Sequence, residues 1–277
     1  MIGILIGLLF KKLQVMKKQK LFPIIISAVA LVSTVSITSC NKDDADGPTD
    51  SAHINMYLTD APAEYDAVYI DVQSVEITSD QGVTTHALIN PGVYDLLKLN
   101  SGADTLMISE DLTPRTASKI RLILGDNNSV VEAGVTHPLA KPDDDSPGLV
   151  IEREYKFESR QNYDMWMDFD AGQSIDKDGA GNYSLNPVLR IYTDEESGAI
   201  SGHILPIGAA FNVSVVSATG TYGTTINNDG TFYIGGLTTG TYDLKFTAVI
   251  GFLDITISGV SVTNGSVTEV GEIVIPL

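Results

Sequence analysis

From residue 53 onward the apolar residues fall in short alternating runs bounded by Gly, Asn, Asp and Pro. No long 3.6-residue period interrupts them, so the pattern predicts strands throughout. In residues 198–277 about seven strands are expected, at 199–205, 211–217, 221–227, 231–234, 241–249, 252–258 and 267–275. Tyr242, Leu244 and Phe246 alternate with polar neighbours, which buries one face of their strand. Asn228-Asp229-Gly230 accepts positive φ and is expected to close a hairpin.

Residues 53–193 alternate as well. Ile54, Met56 and Leu58 share one face of a first strand, and Thr59-Asp60-Ala61-Pro62 turns the chain. Val68, Ile70, Val72 and Val75 continue in strands. Residues 119–124 and 187–192 are central-strand candidates, each carrying one arginine, Arg121 and Arg190. One helical turn is expected around Asp95-Leu96-Leu97-Lys98-Leu99, ended by Asn100-Ser101-Gly102. The composition breaks near 194–198, where charged sequence gives way to Gly, Thr, Val and Ile, and a domain boundary is placed there.

The first 39 residues follow a different pattern. Leu21 to Val35 is mostly apolar, preceded by Lys17, Lys18 and Lys20 and followed by the small residues before Cys40. These are the parts of a secretory signal. Residues 1–10 form a further apolar run that as a helix rises only ~15 Å, about half a bilayer core. Met16-Lys17-Lys18 is the expected true start. Cys40 is the single cysteine, so it has no internal disulfide partner. The layout resembles a bacterial lipoprotein signal, which implies cleavage before Cys40 and lipid on its sulfur. Asn41-Lys42-Asp43-Asp44-Ala45-Asp46 resembles the acidic export signal of Bacteroidetes surface lipoproteins. That resemblance implies an outer-membrane protein facing the cell exterior, on a flexible tether over residues 40–52.

Charge narrows the function classes. The whole chain carries −18, from 17 Lys+Arg and 35 Asp+Glu. Five of the lysines lie in the acid-free leader, which leaves the mature part at −23. Such a surface repels phosphate backbones, so no nucleic-acid partner is expected. The four histidines are scattered without metal-ligand spacing, and no nucleophile elbow, P-loop or dinucleotide fingerprint occurs. No catalytic residue is assigned.

Two resemblances cover the remainder. Leu58-Thr59-Asp60-Ala61-Pro62, Ile120-Arg121-Leu122-Ile123-Leu124, Asp168-Phe169-Asp170-Ala171 and Asn186-Pro187-Val188-Leu189-Arg190 resemble a bacterial family common in lipoproteins, the 4382 domain of unknown function. It implies a β-rich fold over residues 53–193 and brings no activity. Gly198-Ala199-Ile200-Ser201-Gly202, Asn228-Asp229-Gly230-Thr231-Phe232 and Gly236-Leu237-Thr238-Thr239-Gly240-Thr241-Tyr242 resemble the carboxypeptidase regulatory-like (prealbumin-like) β-sandwich. It implies a non-catalytic spacer or attachment module over 198–277.

The candidate ligand face lies in Tyr163-Asp164-Met165-Trp166-Met167-Asp168-Phe169-Asp170. As a strand it would put Tyr163, Met165, Met167 and Phe169 on one face and Asp164, Trp166, Asp168 and Asp170 on the other. Carboxylates this close need compensation. Arg190 or Arg121 on a neighbouring strand would supply a structural ion pair. Calcium held by Asp168 and Asp170, or a sugar stacked on Trp166, are the functional alternatives. Asp143-Asp144-Asp145 is expected to be a solvated loop, and Asp176-Lys177-Asp178-Gly179 a hairpin turn. Together these features predict an all-β protein of two β-sandwiches (Greek-key or prealbumin-like), lipid-anchored and acting as a non-catalytic binding or adhesion module for a glycan or surface protein. A structural component of a surface complex, or a polysaccharide-acting enzyme, are the alternatives.

Overall fold

In the first strand, β1 (Ala52–Asp60), buried and half-buried residues alternate along the whole length, with Ala52, Ile54, Met56, Leu58 and Asp60 inward. The computed structural model describes residues 50–141, 150–217 and 220–277. The leader, Met16, Cys40 and the Asp143-Asp144-Asp145 loop lie outside the described residues.

β1 pairs in antiparallel fashion with β4 (Thr105–Leu112) and parallel with β10 (Asn162–Phe169). β10 in turn pairs antiparallel with β13 (Leu189–Thr193), giving a four-stranded sheet. The facing sheet is built around β2 (Ala67–Ser79), which pairs with β3 (Gly82–Asp95), β5 (Arg115–Leu124) and β6 (Ser129–Glu132). It extends through β7 (Val135–Ala140) to β12 (Tyr183–Leu185) and β11 (Ile175–Lys177), and through β5 to β8 (Val150–Ile151) and β9 (Tyr155–Phe157). Met56, Leu58, Met165 and Met167 from one sheet meet Ile70, Val72, Ile120 and Leu122 from the other in a single core. The expected helical turn is a short 3-10 turn at Leu96–Lys98, with Lys98 reaching back 3.0 Å to Asp95. Asp176-Lys177-Asp178-Gly179 makes the hairpin between β11 and β12. Asp178 accepts from Asn182 Nδ2 and from the amides of Ala180 and Asn182, all at 2.8 Å, which holds its carboxyl below the usual range.

The described residues after the break form a second two-sheet sandwich with its own core. One sheet orders β17 (Thr231–Leu237), β14 (Gly198–Leu205) and β20 (Val267–Val274). The other orders β16 (Gly220–Thr225), β15 (Ala210–Ser217), β18 (Gly240–Ala248) and β19 (Ile255–Val262). Tyr242, Leu244 and Phe246 point inward as the alternation requires, and Phe246 meets Phe232 edge-on at 5.5 Å.

Two expectations need correction. Asn228-Asp229-Gly230 does form a tight turn, with Gly230 at φ +88° and its amide 2.8 Å from the Asn227 carbonyl. The strands it joins, β16 and β17, belong to opposite sheets, so it is a crossing between layers and not a hairpin. Alternation reports that a segment is a strand, not which sheet accepts it. The strand expected at 252–258 begins at Ile255. Asp254 accepts the Ala248 amide at 2.8 Å and closes the preceding loop, so pairing starts only beyond it.

Candidate functional site

β10 carries the candidate face. Met165, Met167 and Phe169 are buried in the core, while Asp164, Trp166 and Asp168 point out of the sandwich, as period two dictates. Asp170 lies beyond the strand end, which separates it from that row. Its Oδ1 accepts the Gln173 amide at 2.9 Å and caps the four-residue turn α1 (Ala171–Ser174). Burial raises its pKa. Asp164 is exposed and accepts from Asn55 at 2.8 Å.

The parallel register sets Tyr57 beside Trp166 and Thr59 beside Asp168, while the antiparallel one sets Tyr192 opposite Trp166. The three rings stack in a row, Tyr57 to Trp166 at 5.2 Å and Trp166 to Tyr192 at 5.7 Å, within 15° and 10° of parallel. The indole Nε1–H donates to Asp104 Oδ2 at 2.8 Å. Its ring faces are thus taken by tyrosines, so Trp166 offers an edge where a stacked sugar would need a face. Burial, seconded by the Asp168 charge, keeps the Tyr192 hydroxyl protonated far above its ordinary range.

Asp168 is 6% exposed, and Arg190 stands directly opposite on β13. Arg190 Nε and Nη2 both reach Asp168 Oδ2 at 2.6 Å. The same guanidinium donates to the carbonyls of Gly236 at 2.8 Å and Gly235 at 3.2 Å, and lies 4.3 Å over the Tyr222 ring. One arginine therefore neutralises the β10 carboxylate and binds the first sandwich to β16 and β17 of the second. Arg121 pairs with Glu76 in the other sheet at 3.3 Å and has no part in this. The two carboxylates proposed for calcium are committed to Arg190 and to the α1 cap. Among the described residues no group of three metal-ligating side chains is placed to hold an ion.

Next to this pair a cleft of about 300 Å³ opens between the sandwiches. Thr59, Asp60, Trp166 and Asp168 line one side; Gly223, Thr224, Tyr233 and Gly235 line the other. The loop after the 3-10 turn closes it, the Ser101 amide donating to Thr224 Oγ1 at 2.8 Å and Thr225 Oγ1 to Asn100 Oδ1 at 2.6 Å. Asp60 Oδ2, Asp168 Oδ1 and Ser101 Oγ are buried and have no hydrogen-bond partner among the described residues, and all three residues line the cleft. Such atoms are uncommon in folded proteins, where buried polar groups are met by protein, by ordered water or by a bound group.

Asp60, Ser101, Asp104 and Tyr192 join the site through the fold, and no local motif marks them. A signal for Asp60 was present, because it continues the inward register of Ile54, Met56 and Leu58. Its Oδ1 accepts the Ala171 amide at 2.9 Å, yet burial, reinforced by Asp168 and Asp170, raises its pKa well above the ordinary value. The folded chain therefore holds this proton more tightly than the unfolded one. The contribution to stability is complete below the unfolded value of ~3.9 and is lost as pH rises through the folded value. Asp60→Asn keeps an acceptor for Ala171 and removes the titration. It is expected to raise the melting temperature at pH 7–8, by about 2–4 °C per kcal/mol recovered, with the gain shrinking toward pH 4. Calorimetry at several pH values checks this; a pH-independent difference would place the effect elsewhere.

A hydroxyl–imidazole–carboxylate chain also occurs, with Ser109 Oγ 3.3 Å from His53 Nε2 and His53 Nδ1 2.8 Å from Asp111. It lies on the exposed face of β1 and β4, with the His53 and Asp111 side chains 37% and 58% exposed. Electrostatic stabilisation of an oxyanion draws its strength from a water-excluded site.

Fold and cleft together define an all-β protein built of β-sandwiches. Residues 51–187 match the model of the family described as "Domain of unknown function (DUF4382)". No curated protein matches the chain. Among solved structures it is similar to the Bacillus anthracis TIE protein, at 10% identity and a TM-score of 0.23, over 82% of this chain and 34% of that one. It is similar to GBS52, the minor pilin of Streptococcus agalactiae, at 8% identity and a TM-score of 0.24, over 80% and 95%. The shaft pilin SpaA of Lactobacillus rhamnosus GG aligns at 9% identity and a TM-score of 0.22, over 82% and 97%. The chain spans about a third of the TIE protein, and likenesses this distant carry no functional argument.

Proposed function

We propose that the chain is a lipid-anchored surface protein with a non-catalytic binding function, and that the cleft between its two sandwiches receives the ligand. The carrying observation is the set of buried polar atoms lining the cleft that have no partner among the described residues, beside an ion pair already satisfied by Arg190. The signal-like leader and Cys40 support the anchor, and the acidic residues behind Cys40 support display on the outer face of the outer membrane. The prealbumin-like motifs of 198–277 support an attachment role for the second sandwich, which here also forms one wall of the cleft.

Two measurements test this reading. Cys40→Ser in the full chain is expected to move the protein from the membrane to the soluble fraction, and intact cells should expose the wild type to added protease. Retention of Cys40→Ser in the membrane would remove lipid from the account. A glycan and matrix-protein binding screen of the wild-type chain should return a ligand whose binding is lost on filling the cleft with Thr224→Trp. Equal binding by that variant would exclude the cleft.

A further inference from the structure

The walls of the cleft restrict what it can hold. Asp60, Asp104, Asp168 and Asp194 line it, and Arg190 is the cation facing them. That guanidinium is committed to Asp168 Oδ2 and to the carbonyls of Gly235 and Gly236. An anion would meet this acidic surface with nothing left to receive it. A neutral sugar would need an aromatic platform, and both neighbours of Trp166 in the ring row already cover its faces. A metal ion would need several converging ligands, and among the described residues no such group of three exists. An ammonium group fits each of these constraints. It is a cation, and it carries three N–H donors in a compact head.

We propose that the cleft binds a primary alkylammonium group, whose N–H donors are accepted by Asp60 Oδ2, Asp168 Oδ1 and Ser101 Oγ. Asp60 and Asp168 are 5% and 6% exposed, so both carboxylates are desolvated and rely on a partner inside the cleft. Each already has its other oxygen occupied, Asp60 by the Ala171 amide and Asp168 by Arg190, which fixes where the remaining one lies. The ammonium would act there as Arg190 acts on the far side of Asp168, as a second cation completing a carboxylate row. A lysine side chain of a partner protein and a free amine share this chemistry. The inference rests on the reading of the cleft as the ligand site and names what that ligand presents.

The chain's single tryptophan, Trp166, lines the cleft and reports on it. In the detergent-purified full chain, n-butylammonium chloride is expected to change Trp166 emission saturably at millimolar concentration. Sodium chloride at equal ionic strength, n-butanol, and tetramethylammonium, which has no N–H, should not. Asp60→Asn, expected to be at least as stable as wild type at neutral pH, should weaken the n-butylammonium response at least about tenfold. Nα-acetyl-lysine methylamide and putrescine separate the sources: tighter binding of the first assigns a protein side chain, of the second a free polyamine. An n-butylammonium response no larger than that of sodium chloride, or an unchanged response in Asp60→Asn, overturns the proposal. If glucose or calcium chloride changes the emission where n-butylammonium does not, the ammonium assignment falls and the cleft remains a ligand site. If every small probe is silent while Thr224→Trp still abolishes binding in the screen, the ammonium assignment again falls alone.

Discussion

Arg190→Ala is expected to destabilise the protein by about 3–5 kcal/mol, the usual cost of leaving one partner of a buried ion pair behind. Asp168 would be left at 6% exposure with neither Oδ1 nor Oδ2 bonded to a partner among the described residues. The carbonyls of Gly235 and Gly236 would lose their donors at the same time. Since these bonds join the two sandwiches, the wild type is expected to unfold in one thermal transition, and the variant in a broader or split one as the second core unfolds separately. Calorimetry of the single variants and of Arg190→Ala with Asp168→Asn gives the coupling directly. The double variant should recover part of the loss, because the unpartnered buried carboxylate is gone. A loss below about 1 kcal/mol in Arg190→Ala would reduce the pair to an ordinary surface salt bridge.

Gly236→Ala is the second large effect, at about 2–5 kcal/mol. Gly236 sits at φ +70°, where a side chain costs ~1–2 kcal/mol. A Cβ there would stand 2.6 Å from both Arg190 Nη1 and Tyr192 Cδ1, so overpacking adds ~1–3 kcal/mol. Neither neighbour can yield freely. Arg190 is held by Asp168, and Tyr192 is stacked on Trp166. The variant should therefore also shift Trp166 emission, whereas Gly134→Ala, also at positive φ but with open space at its Cβ, should cost only the backbone strain and leave the emission unchanged. Equal melting temperatures for the two variants would show that contact with Arg190 and Tyr192 adds nothing.

Part of this was legible from the residues alone. Period two put Met165 and Met167 in the core and Asp164, Trp166 and Asp168 outside it, and the crowding of acids called for an arginine. Either Arg190 or Arg121 satisfied that demand on paper. Strand order decides between them, and strand order is not written in a local pattern. The parallel pairing of β1 with β10 joins segments about a hundred residues apart, so the ring row Tyr57–Trp166–Tyr192 could not be anticipated. Asp60 is an acid in an apolar register, and Ala61-Pro62 after it gives the same stretch the pattern of a turn. The grouping of Asp170 with its neighbours failed because the strand ends at Phe169, where a cap replaces pairing. The far wall of the cleft comes from Thr224, Tyr233 and Gly235, whose own sequence context reports only sandwich strands. Docking of one sandwich on another depends on surface fit, which alternation does not encode.

The position of β1 has a mechanical consequence. The described chain enters this strand at Ala52, and the cleft begins at its other end, at Thr59 and Asp60. The length of this strand separates the two points by roughly 25 Å. Any pull between what holds the N-terminal side and what occupies the cleft therefore runs lengthwise along β1. That strand is flanked by β10 on one side and β4 on the other, so the load falls on two hydrogen-bond ladders in shear, shared across many bonds at once. A ladder opened from one end breaks bond by bond; one dragged along its length must release together.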